Sequence, residues 1–253
     1  MQRNLRDSLI EFVKISFQKA GFERAVVAMS GGVDSSTSAA LAVGALGANN
    51  VYPLLLPFGN LNSVTDAQIV ARTLGIPKSN IHTTNIQLLV DPIVALDPSM
   101  DQIRRGNSMA RVRMILLFDQ AKKRNALVVG TENKTEYLLG YFTRFGDEGS
   151  DVEPLRNLYK TQVYELARSL NLPEQILTKA PTAGLWEGQT DEGEFGFTYK
   201  EADEILSFVV DEKQSIDAVV SKGYNREVVE KVIKRMKDNE FKHHLPILPE
   251  THA

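Results

Sequence analysis

The sequence contains no cysteine among its 253 residues, and this absence removes several kinds of chemistry. Without a thiol the chain forms no disulfide, no thiolate metal site and no cysteine nucleophile. It also lacks an apolar run of the roughly 18 residues that a membrane span requires. The first residues lead into an amphipathic segment rather than a signal peptide. We therefore expect a cytoplasmic protein that has no membrane partner.

Charge of one sign is not in excess either. The formal net charge is −3 and acidic and basic residues are interspersed, which gives no support to nucleic acid as a partner. The length fits one α/β domain, and no change of composition divides the chain. We therefore assign residues 1–253 to a single domain and expect small-molecule ligands.

Apolar runs alternate with helical periodicity along the chain. Strands are predicted at 24–29, 51–56, 81–86 and 126–129, and helices at 5–21, 35–46, from 63, 108–123, 163–170, 198–210 and 226–237. The pairs Ser63 with Asp66 and Thr198 with Glu201 match capping boxes. Segments 142–157 and 179–197 lack periodicity and are expected to be mobile or ligand-ordered loops. This alternation predicts an α/β fold, a doubly wound parallel sheet flanked by helices.

The loop that follows the first strand is the most informative stretch. It reads Ser30-Gly31-Gly32-Val33-Asp34-Ser35-Ser36 and leads from a strand into a helix start, where backbone N–H groups and the helix dipole favour an anion. Neither GxxxxGK[ST] nor GxGxxG is present. Asp34 would repel a phosphate unless a divalent cation lay between them, so the loop indicates a nucleotide bound with Mg²⁺. The alternative is a tight turn in which Asp34 and the serines only cap the helix.

This loop resembles the SGGxDS signature of the ATP pyrophosphatases. Further motifs resemble those of ammonia-dependent NAD synthetases, whose fold is adenine nucleotide alpha hydrolase-like. They are Gly130-Thr131-Glu132-Asn133-Lys134-Thr135-Glu136 with the following Gly140–Asp147, then Asp151–Val163, Pro181–Glu192 and Ala110–Met114. The resemblance covers most of the chain, from Ser30 to about Phe197. It implies a ligase that amidates deamido-NAD with ammonia, through an adenylated intermediate, at the expense of ATP.

The resemblance also implies roles for individual residues. ATP would be bound by Ser30, Gly31, Gly32, Val33, Asp34, Ser35, Thr131, Lys160 and Thr182, and Mg²⁺ by Asp34 and Glu136. Deamido-NAD would contact Arg111, Arg144 and Asp151, together with Lys242, His243 and His244 where many members carry His-Lys. Catalytic candidates are Lys160, Asp147 and Asp151, of which either aspartate could deprotonate ammonium. Without the resemblance, Lys160 is a surface lysine, Arg111 a solvated helix residue and Glu136 a solvated helix-start glutamate.

Two further expectations follow from the family. Glutamine-dependent members carry an amidase domain with a cysteine nucleophile, so a chain without cysteine is expected to use free ammonia or ammonia from a separate protein. The resemblance also implies a homodimer. The apolar stretch Met114–Phe118 would suit a dimer interface, but a buried core helix explains it equally well. The alternatives are another amidating ligase with the same loop, such as a GMP synthetase, and a nucleotide-binding module without catalysis.

Overall fold

The computed structural model describes residues 2–60 and 64–244, with side chains from residue 5 onward. Its sheet has four parallel strands in the order β3-β2-β1-β4. They are β1 Ala25–Ala28, β2 Val51–Leu55, β3 His82–Thr83 and β4 Leu127–Val129. Beyond β4, Val152 forms a parallel bridge with Val129 and extends the sheet edge. The predicted parallel sheet is confirmed, and each observed strand lies within its predicted range.

Helices cover both faces of this sheet. They are α1 Gln2–Ala20, α2 Val33–Leu46, α3 Thr65–Thr73, α4 Gln87–Val94, α5 Gln102–Arg124, α6 Lys134–Leu139, α7 Lys160–Ser169, α8 Glu174–Leu177, α9 Asp191–Phe195, α10 Tyr199–Leu206, α11 Ile216–Ser221 and α12 Arg226–Asp238. A π-helical turn, Ser207–Asp211, continues α10. None of the helices in the described ranges is long and apolar enough to cross a membrane.

The strands are apolar on both faces because each face has its own helical cover. Val27 of β1 is buried with α1, α2 and α7, whereas Val26 points the other way and is buried with α4 and α5. A third apolar cluster is formed by helices α6, α9, α10, α11 and α12 and includes Leu139, Phe195 and Ile205. The assignment of all of these layers to one domain stays a prediction.

The predicted helices need one correction of a boundary and the addition of four short helices. Helix α5 begins six residues before the predicted Ser108, because Asp101 caps it by accepting a hydrogen bond from Arg104 N at 2.8 Å. Helices α4, α8 and α11 were not predicted, and the expected loop 179–197 contains the short α9. The Thr198–Glu201 capping box is confirmed. Ser63 lies outside the described residues, and Asp66 instead accepts hydrogen bonds from Gln175 and Lys179.

Strand order fixes the position of the site. The chain proceeds from β1 to β2 and β3 on one side and then returns to place β4 on the other side of β1. Loops that follow β1 and β4 therefore diverge and leave a crevice between them at the carboxyl edge of the sheet. Ser30–Ser36 follows β1 and Gly130–Asn133 follows β4, so the two sequence motifs lie on either side of this crevice.

Candidate active site

The loop after β1 is shaped to present the start of a helix. Gly31 has a φ of +81°, and a Cβ atom there would lie 2.6 Å from Asp66 Cβ, so a glycine is required. Gly32 then serves as the N-cap of α2. Within the loop, Ser30 Oγ and Ser35 Oγ are 3.1 Å apart, and Ser36 Oγ donates to Gly32 O at 2.7 Å. The first N–H groups of α2 have no partner within the helix, an arrangement that favours an anion.

Lys160 stands at the centre of the site. It is the first residue of α7 and is 3% exposed. Its Nζ lies 2.5 Å from Asp34 Oδ2 and 2.9 Å from Glu136 Oε1. Burial alone would lower the pKa of Lys160, but the carboxylates of Asp34 and Glu136 raise it above its ordinary value. The interpretation of Lys160 as a surface lysine is therefore wrong, and the side chain carries a permanent positive charge.

Glu136 responds to the same surroundings in the opposite sense. Burial raises its pKa to about 7, with Lys160 opposing the shift and Asp34 adding to it. Only 16% of its side chain is exposed, so it is not a solvated helix-start glutamate. Since a cation favours the charged carboxylate, further positive charge at this position would lower the pKa of Glu136 again.

Asn133 links the Asp34 carboxylate to the start of α6, and no sequence motif assigns it a role. Its Oδ1 accepts a hydrogen bond from Glu136 N at 3.0 Å and thereby caps α6, while its Nδ2 donates to Asp34 Oδ1 at 2.9 Å. It is fully buried. An asparagine between a strand end and a helical segment is a recognisable N-cap, which gives a signal for its first role. Its contact with Asp34, 99 residues away, leaves no local signal.

A buried pair of side chains fixes the start of α7. Thr135 Oγ1 accepts a hydrogen bond from Lys160 N at 2.9 Å and donates to Asp203 Oδ1 at 2.5 Å. The other oxygen of Asp203 accepts from Thr161 N at 2.8 Å. The N–H groups of Lys160 and Thr161, the first two of α7, are thus satisfied by side chains, which fixes the backbone that carries Lys160.

The remaining predicted ATP ligands lie on the surrounding loops. Thr131 is half-buried and follows β4 after Gly130 at the same edge of the sheet. Thr182 lies in the 179–197 segment, where its hydroxyl donates to Gln189 O at 2.8 Å and accepts from Gly184 N at 3.1 Å. Its side chain is thus bound within its own loop, and its contact with ATP stays a prediction.

Three residues that are predicted to contact deamido-NAD, Arg111, Arg144 and His244, are joined by hydrogen bonds on the exposed side of α5. Arg111 Nε and Nη2 donate to Arg144 O at 3.3 and 3.2 Å, and Arg144 Nη2 donates to His244 O at 3.2 Å. Arg111 is exposed, as a solvated helix residue would be, and remains accessible to an anionic ligand. Both arginine side chains carry a positive charge, which suits a phosphate or carboxylate group.

The other C-terminal candidates and both aspartates make backbone contacts. Lys242 Nζ donates to Gly140 O and Phe142 O, and His243 Nε2 lies 2.6 Å from Tyr137 O, so these side chains hold the C-terminal segment against the end of α6. Asp147 Oδ1 accepts from Thr143 N at 2.7 Å. Asp151 Oδ2 accepts from Val128 N at 2.8 Å. The proposed substrate-binding and catalytic roles of these residues stay predictions.

A divalent cation would find a suitable pair of oxygen donors at Asp34 and Glu136. Across the described ranges no group of three or more His, Cys, Asp or Glu side chains could hold a metal by itself. Mg²⁺, however, is commonly held by one or two carboxylates, with phosphate and water oxygens completing its shell. Two carboxylates beside a phosphate-binding loop are consistent with a metal that arrives with its nucleotide.

The fold and this site define a class of protein. A glycine-rich loop after β1, a facing loop after β4 and a buried lysine between two carboxylates characterise an α/β protein of the adenine nucleotide alpha hydrolase-like fold. The chain belongs to the NAD synthase family, whose family model matches residues 5–246. The resemblance seen in the sequence motifs is thereby confirmed.

Individual relatives agree with this assignment. The NH(3)-dependent NAD(+) synthetase of Pyrococcus furiosus is 45% identical over 243 residues, which are 95% of this chain and 92% of the relative. The structure of an NMN synthetase from Francisella tularensis has a TM-score of 0.86 and 34% identity, covering 99% of both chains. An NH3-dependent NAD synthetase from Campylobacter jejuni, in complex with the nitrate ion, has a TM-score of 0.83 and 28% identity, covering 99% of this chain and 100% of that one.

Proposed function

We propose that this chain is a ligase that amidates deamido-NAD with ammonia to form NAD, with conversion of ATP to AMP and pyrophosphate. The observation that carries the proposal is the buried Lys160 between Asp34 and Glu136, next to the phosphate-binding loop, in a chain of the NAD synthase family. A nucleotide-binding module without catalysis would not need a second carboxylate opposite Asp34.

The first chemical step needs charge neutralisation. An oxygen of the nicotinate carboxylate attacks the α-phosphorus of ATP, and the bond to the leaving pyrophosphate breaks. The start of α2 and the ammonium group of Lys160 face the phosphates and compensate the charge of the departing pyrophosphate. Mg²⁺ held by Asp34 and Glu136 would add positive charge to the same phosphate oxygens. Lys160 would then exchange part of its contact with the carboxylates for contact with phosphate.

The second step forms the C–N bond. Ammonia attacks the carboxyl carbon of the adenylate, the bond to AMP breaks, and the nitrogen loses a proton. Arg111 and Arg144 hold the acceptor from the outer side of α5, while a carboxylate accepts the proton. Asp147 and Asp151 remain the candidates for this base. The residues thus orient the two anionic substrates, so that the reacting groups meet without a covalent enzyme intermediate.

A second copy of the chain is part of the proposal. Arg111, Ile115 and Phe118 follow one another at helical spacing on α5, and Ile115 is 59% exposed and Phe118 37% exposed. The buried-helix explanation of Met114–Phe118 accounts for Leu117, which is 6% exposed, but not for these two side chains. A homodimer would cover them and place Arg111 beside the interface. The location of the protein in the cytoplasm stays a prediction.

The decisive experiment measures turnover. The protein is incubated with deamido-NAD, ATP, Mg²⁺ and ammonium, and NAD and pyrophosphate are expected in equal amounts. Because one similar structure is that of an NMN synthetase, nicotinate mononucleotide is the second acceptor to test, and XMP the third. Consumption of either in place of deamido-NAD would reassign the acceptor. ATP binding without any amide product would refute the proposed function.

Two variants test the assigned roles. Asp34→Asn is expected to keep the fold and to lose turnover together with the normal Mg²⁺ dependence. Arg111→Met is expected to raise KM for the acceptor and to leave KM for ATP unchanged. Arg226→Met is the matched control, since Arg226 is a half-exposed arginine paired with Asp217 on the C-terminal helices. An equal effect of the Arg111 and Arg226 substitutions would contradict the acceptor site.

A further inference from the structure

Tyr199 lies beneath the central lysine, although neither the motifs nor the proposed chemistry gives it a role. It is the first residue of α10 and is 4% exposed. Lys160 Nζ stands 4.8 Å from the centroid of its ring, a cation–π distance. Its hydroxyl lies 2.9 Å from Asp191 Oδ2 and 3.4 Å from Glu136 Oε1. Tyr199 thus contacts both members of the Lys160–Glu136 ion pair and a second acidic residue, Asp191.

The hydroxyl proton of Tyr199 is directed to Asp191. The Tyr199 hydroxyl has a single proton to donate. One proton cannot serve two acceptors equally, and the contact with Asp191 is the shorter by half an ångström. Glu136 is therefore placed against the hydroxyl without being its main acceptor.

Asp191 in turn fixes the loop that carries Thr182. It is 3% exposed, and its Oδ1 accepts hydrogen bonds from Ala183 N at 2.9 Å and from Tyr141 OH at 3.0 Å. The backbone N–H of Asp191 donates to Pro181 O at 3.2 Å. One carboxylate oxygen of Asp191 thus binds Ala183 within the 181–191 loop, and the other accepts the Tyr199 hydroxyl.

We propose that Tyr199 is a positioning residue that couples the 181–191 loop to Glu136, so that Thr182 and Glu136 act on the same bound nucleotide. This inference rests on the proposed function. The hydroxyl fixes Asp191, the carboxylate of Asp191 fixes Ala183 next to Thr182, and the ring of Tyr199 supports Lys160. Loss of the hydroxyl leaves the ring and its packing in place but separates the loop from the carboxylate pair.

The test is Tyr199→Phe, with Tyr224→Phe as its matched control. Tyr224 OH, between α11 and α12, donates to Glu204 Oε2 of α10 at 2.8 Å, which is also a hydrogen bond from a tyrosine to a carboxylate. We expect Tyr199→Phe to weaken binding of Mg-ATP about tenfold, or about 1.4 kcal/mol, and to raise the Mg²⁺ concentration needed for half-maximal binding. KM for the acceptor is expected to stay within twofold. Tyr224→Phe is expected to change none of these quantities.

Binding is measured calorimetrically with a non-hydrolysable ATP analogue, so that it does not depend on turnover. A general loosening of the fold would raise both KM values and would not change the Mg²⁺ dependence selectively. If Tyr199→Phe does not fold, the isosteric Asp191→Asn variant, which weakens the same link, is expected to shift Mg-ATP binding in the same direction. Unchanged binding in the folded variant, or equal effects of the Tyr199 and Tyr224 substitutions, would overturn the inference. Wild-type protein that binds Mg-ATP but makes no NAD would instead refute the proposed function alone.

Discussion

Removal of the buried positive charge at Lys160 gives the sharpest prediction. In the Lys160→Met variant the long apolar stem is replaced by one of similar size, while Asp34 and Glu136 lose their shared partner. Because both oxygens contact the same nitrogen, at 2.5 and 2.9 Å, they lie at most about 5.4 Å apart. At an effective dielectric constant of about 20, two unit charges at that distance repel by about 3 kcal/mol.

This repulsion agrees with the cost of breaking a buried ion pair, about 3–5 kcal/mol. We therefore expect the free energy of unfolding to fall by about that amount at pH 8. The loss should be smaller at low pH. The folded-state pKa of Glu136, already raised from 4.5 to about 7, rises further without the lysine. Protonated Glu136 stabilises the folded variant fully at pH values below the pKa of Glu136 in the unfolded chain. This stabilisation is lost as the pH rises through the pKa of Glu136 in the folded protein.

The assay is urea denaturation at pH 6 and pH 8, followed by circular dichroism. Lys234→Met is the control, because Lys234 Nζ also lies 2.5 Å from a carboxylate, that of Asp238, but the two side chains are 74% and 57% exposed. An exposed pair contributes at most about 1 kcal/mol. Equal losses in the two variants, or a loss at Lys160 that does not change with pH, would refute the assignment of a buried charge triad.

Three further predictions concern the same crevice. Gly31→Ala should weaken ATP binding at least tenfold and lower the free energy of unfolding by about 2–4 kcal/mol. Gly21→Ala is the control, because Gly21 has a φ of +76° but no atom within 4 Å of an added Cβ. It should lower the free energy of unfolding less and leave the ATP affinity measured by calorimetry unchanged. Asn133→Asp keeps the helix cap but loses the donor to Asp34 and places a second negative charge beside it. Turnover should therefore fall at least tenfold with a small change in Tm. Unaltered kinetics would contradict a role for the hydrogen bond between Asn133 and Asp34. The affinity for Mg²⁺ should rise with pH through about 7, the pKa of Glu136, and a flat pH profile in calorimetry would remove Glu136 from the metal site.

The periodic features of the chain could be predicted from the sequence because they are local. Buried strands on a doubly covered sheet are nearly continuous apolar runs, and those of β1, β2 and β4 were placed within one or two residues. The phosphate-binding loop was also visible, since Gly31, Gly32 and Asp34 specify a turn and a charge within a few residues. Helix α4 was missed because it begins among apolar residues and contains Pro92.

Contacts between distant segments were decided only by the tertiary structure. The sequence by itself determined the fold class, the anion-binding loop and, through its motifs, the family. It could not show that Asp34 and Glu136 share Lys160, that Asn133 donates to Asp34, or that the Tyr199 ring lies beneath Lys160. Hydrogen bonds and ion pairs between residues 24 to 126 positions apart leave no periodic trace, and the pKa values follow from burial that only the packed helices create.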